Sequence, residues 1–554
     1  MTSALILVAD TSAGLICLTD GDALVVSHPT RATIDALPGL SVETEIDLLL
    51  STGDESAPRQ IRVSLSTLEV LPWDLIGIAE LHLATPIGDE VSISDRTLIA
   101  RGWLDEITAD GLTLSATLRD DPLDDRGQIL DPGATVRPQT WPRTDAQRAA
   151  DLEPAFVGSP ASQPQIEGAS YPVLIGRPGQ AIPYRVTGVG LITTAAPAAP
   201  ALLCETSDSA TVLSDHRLIV SAGRIDAATV QRVSIDQTGA PTIETCTVEV
   251  GHDREGRVVS LISPGSALDI PGEDAESWIC LPSGAGIRDP YGDGPLRRAD
   301  HVIRWALDRS TLRLDRRQIP RLSALRAYQI DTAVYSPAGA WAWLSSQVLP
   351  YLPVSISVGP AGLYLWPHLS SWSRESAGRR LEVGLDCERV GPVVGAQLAL
   401  TSRVTVRYAV DARSGDYRRS VTLAGRRETH DGPEVLLDQW ARRAAQLAPP
   451  GSPRAVTIDC PCTADPVTAV AIAQDTIRRA CRPSAAVELV VDAETAADLL
   501  PGDVIDLVDP TLPTASGGTL ATAAQIERVR YTAGAALLSV RWHAALGLDL
   551  PSFT

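Results

Sequence analysis

The residue types that do chemistry are present in this chain, but their spacing does not bring them together. Histidines stand at positions 28, 82, 216, 252, 301, 368, 430 and 543, and none falls in an HxH, HExxH or HxxxH arrangement. A zinc or iron site would have to be built from distant segments. Cys460 and Cys462 form the one close-set thiol pair, where packing between a strand and a helix competes with a redox role. No GxSxG stretch is present, so a serine hydrolase of the α/β type lacks its local signature. The glycines of GIRDPYGDGPLRRAD (286–300) neither follow a strand nor open a helix at dinucleotide-binding spacing. Asp120-Asp121 and Asp124-Asp125 sit in turn-forming sequence with no apolar pocket implied. Trp341, Trp343, Trp366 and Trp372 could form a sugar-stacking platform, but large aromatics more often fill interiors. No catalytic residue, metal ligand or cofactor is assigned from these patterns, and the chain is expected not to be an enzyme.

The elements that would carry such residues are mostly strands. Ile61, Val63, Leu65 and Thr67 alternate with polar neighbours, the two-residue period of a half-buried strand. RTLIARGWLDEI, the turn Asp110-Gly111 and LTLSATLRD predict a hairpin, with Leu112, Leu114, Ala116 and Leu118 on one face. Residues 121–167 are rich in turn formers. GASYPVLIGRPGQAIPYRV (168–186) and short strands to about residue 263 predict a small second β module. From about 290 the period becomes helical. Asp300 is expected to cap a helix carrying Val302, Ile303, Ala306 and Leu307, and Ser336-Pro337 to open one carrying Trp341, Leu344 and Val348. VSISVGPAGLYLW then predicts a hairpin turning at 359–362.

In the last section Val404, Val406, Tyr408 and Val410 alternate as a strand, and a helix is expected from Glu434 to Ala448. Asp465-Pro466 predicts a second helix that buries Val467, Val470, Ala473 and Ile477. DLLPGDVIDLVDP (498–510) then predicts a strand from Val504 to Val508 held between tight turns. Ile505 and Leu507 should face the helix, and Asp503, Asp506 and Asp509 should face solvent. The predicted fold class is α+β, mostly β: several tube-like antiparallel β domains with flanking helices. The division read from the sequence is an N-terminal β domain at 1–150, an inserted small β domain at 151–290, a helix-plus-hairpin domain at 291–400 and a C-terminal β domain with helices at 401–554.

Composition limits the function classes. A chain of 554 residues needs several cores. With 47 Lys plus Arg against 68 Asp plus Glu the net charge is −21, which argues against a general nucleic-acid grip. The sequence has no lysine and no asparagine, which removes Schiff-base and Walker-type lysine chemistry. Eight scattered cysteines read as buried thiols of a protein made in a reducing compartment. The first residues lack a basic n-region, so no signal peptide is expected. No apolar run approaches 18 residues, so no membrane span is expected.

Taken in order, RTLIARGWLDEITADGLTLSATL, GASYPVLIGRPGQAIPYRV, ADHVIRWALD with WAWLSSQVLPYLPVSISVGPAGLYLW, and LLPGDVIDLVDP with AQIERVRYTAGAALLSVRW resemble stretches of the central baseplate hub proteins of long-tailed bacteriophages and phage-derived gene transfer particles. The resemblance covers some 450 residues. It implies a structural virion protein: a homotrimer whose two tube-like barrels per chain give a pseudo-sixfold ring at the tail tip. A distal tail or tail tube protein would lie above it and a fibre or tip protein below, with the tape-measure C-terminus in the lumen and DNA passing without specific binding. The place implied is the virion, after assembly in the host bacterial cytoplasm. If the two barrels share one design, the hairpins at 97–119 and 524–543 should occupy equivalent places. The alternative from the residues is a β-rich extracellular carbohydrate-binding protein or glycoside hydrolase.

Overall fold

The computed structural model describes residues 4–543 apart from connecting segments, the larger being 50–59, 67–76, 135–169, 205–216, 263–275, 311–321, 368–373 and 426–434. Alternation of apolar and polar residues governs its first part. Eleven strands occur before residue 121: β1 (Ala4–Thr11), β2 (Gly14–Thr19), β3 (Leu24–Ser27), β4 (Ile34–Pro38), β5 (Leu40–Val42), β6 (Ile46–Leu49), β7 (Gln60–Ser66), β8 (Gly77–Ala84), β9 (Glu90–Ser92), β10 (Leu98–Asp110) and β11 (Thr113–Asp120). All but β6 join one sheet, in the order β5-β7-β11-β10-β8-β1-β2-β4-β3-β9. On β1, Leu7 and Ala9 face one core while Ile6 and Val8 face another beneath β3, β4 and β9. A strand with apolar residues at every position is buried on both faces.

The second module follows β12 (Val173–Ile175) and the hairpin β13 (Ala181–Val186) and β14 (Gly190–Ala195). It comprises β15 (Ala199–Pro200), β16 (Leu202–Cys204), β17 (Arg217–Ala222), β18 (Thr229–Ile235), β19 (Pro241–His252), β20 (Val258–Ile262) and β21 (Glu276–Cys280). Its order is β15-β21-β18-β19-β20-β17-β16. The two ends of that order are successive pieces of one stretch, so the sheet curls back on itself and its edges are used up.

The central part holds α1 (Ala299–Leu307), β22 (Thr332–Val334), α2 (Ala340–Trp343) and the hairpin β23 (Val354–Gly359) and β24 (Gly362–Pro367). α1 buries Val302, Ile303, Ala306 and Leu307 as expected. Its N-cap is Arg298, without a side-chain cap, and Asp300 lies in the first turn, bonded to Arg298. The helix expected from Ser336-Pro337 begins later, with Gly339 as N-cap, and continues past Trp343 as a π turn over 344–348. Leu344 and Val348 are fully buried there and Trp341 is half-buried.

The last part contains β25 (Arg379–Glu382), β26 (Cys387–Gly395), β27 (Thr401–Val410), β28 (Tyr417–Ala424), β29 (Val435–Leu437), α3 (Gln439–Leu447), β30 (Arg454–Asp459), α4 (Pro466–Ala480), β31 (Ser484–Asp492), β32 (Val504–Pro513), β33 (Thr519–Thr532) and β34 (Ala535–His543). The helix expected from Glu434 is shorter, because Val435–Leu437 pairs in parallel with β28 and Asp438 caps α3 through bonds from the Trp440 and Ala441 N–H groups. Asp465 caps α4, accepting from Thr468 N–H at 2.8 Å. The buried face of α4 is Thr468, Ala469, Ile472, Ala473 and Ile477, so Val467 is 71% exposed rather than buried. β27 to β30 form one sheet, and together with α1, α3 and α4 they share the largest core, which also takes in Val220, Val230 and Ile262 of the second module.

Packing therefore groups the chain differently from its linear order. β25, β26 and β31 to β34 form a separate sheet whose Ile505, Leu507, Leu538 and Val540 share a core with Leu7, Leu81, Leu104 and Leu118 of the first sheet. Ile505 and Leu507 thus face the N-terminal sheet, not a helix. β6 leaves its own region and pairs with β33, Ile46 to Leu49 lying opposite Tyr531 to Arg528.

Candidate functional site

The strand order of the first and last sheets repeats. Six N-terminal strands lie in the order β5-β7-β11-β10-β8-β1, and six C-terminal strands in the order β26-β31-β34-β33-β32-β25. Ranked by position in the chain, both read second, third, sixth, fifth, fourth, first. The inner four pair antiparallel in both. The outer pair differs: β1 runs antiparallel to β8, whereas β25 runs parallel to β32. Both long strands carry a register shift before they meet their hairpin partner, between Asp105 and Thr108 in β10 and between Ile526 and Arg528 in β33. The hairpins 97–119 and 524–543 thus hold equivalent places. The sequence had supplied only their alternation, which any two hairpins share.

Two joints hold these units to the rest. At the first, the PGD turn places Gly502 at φ +93°, donating to Ile526 O at 2.6 Å, while Leu500 N–H donates to the Asp503 carboxylate at 2.9 Å. A Cβ on Gly502 would lie 2.6 Å from the Trp366 ring of β24, so glycine is required both by φ and by space. The turn thus seats the β23–β24 hairpin on the C-terminal sheet. At the second, Asp331 accepts from Arg177 N–H at 2.8 Å and from Arg297 Nε at 2.7 Å, its side chain fully buried. Gly176, in the YPVLIGRPG stretch, has φ +67° and would place a Cβ 2.0 Å from Ile330 O. This locks β12 onto the central core.

The three aspartates of the strand are structural, and their solvent-facing placement needs correction. Asp509 is 1% exposed, accepting from Arg389 Nη1 at 3.1 Å and from Thr511 N–H at 2.8 Å. Asp506 takes two bonds from Arg374, which hold its carboxyl below the usual range. Nor does Asp509-Pro510 end the strand, which runs to Pro513.

The chemical candidates resolve as follows. Asp289, buried, meets His301 Nδ1 at 2.5 Å and accepts from Tyr291 N–H at 2.9 Å. His301 also stands edge-on to the Tyr291 ring, whose hydroxyl donates to Asp308 and whose face lies 4.1 Å from Arg304. This Asp–His pair resembles the base half of a hydrolase, but no serine or cysteine among the described residues is bonded to His301. It pins the loop 288–298 to α1. The sequence missed the pair because its members lie 12 residues apart across a turn. Gly292 and Gly294 belong to that turn rather than to a phosphate cradle. His28 and His82 both approach Glu80, at 3.7 and 3.6 Å. Among the described residues no group of three or more His, Cys, Asp or Glu can hold a metal ion.

Cys460 and Cys462 are buried, and burial pushes both thiols up, Cys462 to about 12. Few thiolates form at neutral pH, so packing accounts for the pair. Trp343 and Trp366 are buried, Trp343 edge-on to Trp305 at 6.5 Å, so they form no exposed platform. Trp372, Asp121, Asp124 and Asp125 lie outside the described residues, as do most of 121–167.

No family model and no curated relative matches the sequence. Among solved structures the chain is similar to a 43 kDa tail protein of prophage MuSo2 from Shewanella oneidensis, at 12% identity and TM-score 0.29 over 91% of this chain and 97% of that one. It is also similar to a chain of the virion of a native gene transfer agent particle, at 15% identity and TM-score 0.18 over 49% and 82%. A prophage tail protein from Listeria monocytogenes EGD-e matches at 10% identity and TM-score 0.21 over 60% and 92%. The structural neighbours are phage tail proteins and a gene transfer agent virion. No helix among the described residues is long and apolar enough to cross a membrane.

Proposed function

We propose that this chain is a structural, non-enzymatic tail protein of a phage-like virion, acting as the trimeric central hub of the tail tip. The observation that carries the reading is the six-strand order present twice in one chain. Three copies supply six like units, which lets a threefold body meet a sixfold tube with near-equivalent contacts. The wall units are the first sheet and the sheet of β25, β26 and β31–β34. The closed second module and the β27–β30 layer with α3 and α4 are insertions that brace them. This replaces the linear boundaries at 150, 290 and 400 with a division by shared core.

The surface chemistry is compatible with the passage of DNA. A net charge of −21 disfavours adsorption of a polyanion, as a lumen for ejection requires. In this reading the tail tube protein sits above, a fibre or tip protein below and the tape-measure C-terminus inside. The carbohydrate-active alternative is not favoured, since Trp343 and Trp366 are core residues. The test is the mass and image of the purified protein. A particle of three times 58.6 kDa with an axial opening is expected. A monomer with a closed cleft would refute the reading.

A further inference from the structure

The repeat makes it possible to compare matched positions in the two units. In the C-terminal unit the register row Val504–Gln525 precedes the Ile526 shift, and in the N-terminal unit the matching row Ile78–Trp103 precedes the Asp105 shift. The first row is covered within the chain. Gln525 is 7% exposed and donates to Gly502 O at 3.3 Å, beneath the turn on which Trp366 sits. The second row is open. Ile78 is 41% and Trp103 42% exposed, and Leu15, joined to Ile78 through the register partner Asp10, is 42% exposed. Equivalent sheet positions thus differ in one respect: the chain covers one of them and leaves the other to solvent.

A second apolar surface lies on the other unit. β26 ends its sheet, pairing with β31 on one side, and carries Val390 at 43% and Val394 at 64% exposure, with Leu385 beside it at 78%. A long apolar edge strand left bare is an aggregation hazard, and proteins cover such edges. We propose that the Leu15–Ile78–Trp103 row of one copy is covered by the β26 edge of a second copy. The contact is heterologous, one patch on each unit, so each copy offers one half and receives the other. Cyclic symmetry closes such contacts into a ring, which exhausts both patches. A trimer satisfies this with no apolar surface of either kind left over. Trp103, a large exposed aromatic in the row, is the anchor expected of an interface centre. The proposal rests on the trimeric reading above and names the surface that would make it.

The test is analytical ultracentrifugation of the full-length chain and of W103E, V394E and W103E/V394E. Far-ultraviolet circular dichroism checks that each folds, as exposed positions permit. Either single variant should raise the dissociation constant of the trimer by at least about tenfold, since it sets a charge in an apolar contact. A paired variant, I78C with V390C, should give an oxidised covalent species between chains that Ile78→Cys alone does not. Trimers of unchanged affinity in all variants, with no cross-link, would overturn the surface while leaving the hub reading intact. A wild-type monomer would overturn both.

Discussion

Replacing Gly502 by alanine isolates the joint between the C-terminal sheet and the central hairpin. Two penalties are expected. Glycine adopts φ +93° freely, whereas a side chain there costs about 1–2 kcal/mol. The added Cβ would lie 2.6 Å from Cγ and Cδ2 of Trp366, and the ring belongs to a paired strand with its neighbour Leu365 fully buried, so it yields little. Overpacking of this kind adds about 1–3 kcal/mol. G502A should therefore cost about 2–5 kcal/mol locally. The sum can be separated with W366A, which removes the obstructing ring and leaves only the φ penalty. In the W366A background G502A should cost about 1–2 kcal/mol, so the double variant is less destabilised than the sum of the singles. Because several cores unfold in this chain, one global unfolding free energy is a poor readout. Native-state hydrogen exchange at the Ile526 amide, which donates to Asp503 O at 2.9 Å, reports the joint directly. An equal cost of G502A with and without Trp366 would refute the close-approach argument.

Further expectations concern carboxylates, thiols and the loop before α1. D509A should destabilise the C-terminal sheet by about 3–5 kcal/mol, because Arg389 would lose its buried partner; a change below about 1 kcal/mol in urea unfolding of that sheet would count against the pairing. Asp506 is held down first by its bonds from Arg374 and Asp492 by the Thr495 N–H, so both carboxyls have folded values below their unfolded ones. Their stabilisation is present above about pH 4 and is lost as pH falls through the lower folded values. R374A should weaken this acid-side dependence in a melting-temperature series from pH 6 to pH 2, and an unaltered profile would argue against the Arg374 bonds. Cys460 and Cys462 should resist alkylation by iodoacetamide at pH 8 for as long as the protein stays folded, as read by peptide mass spectrometry, and their rapid modification would contradict their burial. H301A should raise exchange of the amides at 289–296 while the C-terminal sheet is unaffected, the result expected of a loop pin.

Local pattern settled much of this protein. Alternation placed the β10–β11 hairpin, the Asp465 cap placed α4, and the charge balance spoke against a nucleic-acid grip, since each depends on residues a few positions apart. The pattern failed where a tertiary partner outweighed it: residues 435–437 became a strand because β28 offered hydrogen bonds, and α4 turned its Ala469–Ile472 face inward because that face meets β27. Asp509 reads as a turn residue until Arg389, 120 positions away, makes its burial tolerable. The repeated sheet order, the shared core of the two sheets and the crossing of β6 to β33 were decided by tertiary structure alone. Strand pairing joins residues far apart in the chain, and an alternating sequence specifies which face is buried but not which neighbour lies alongside.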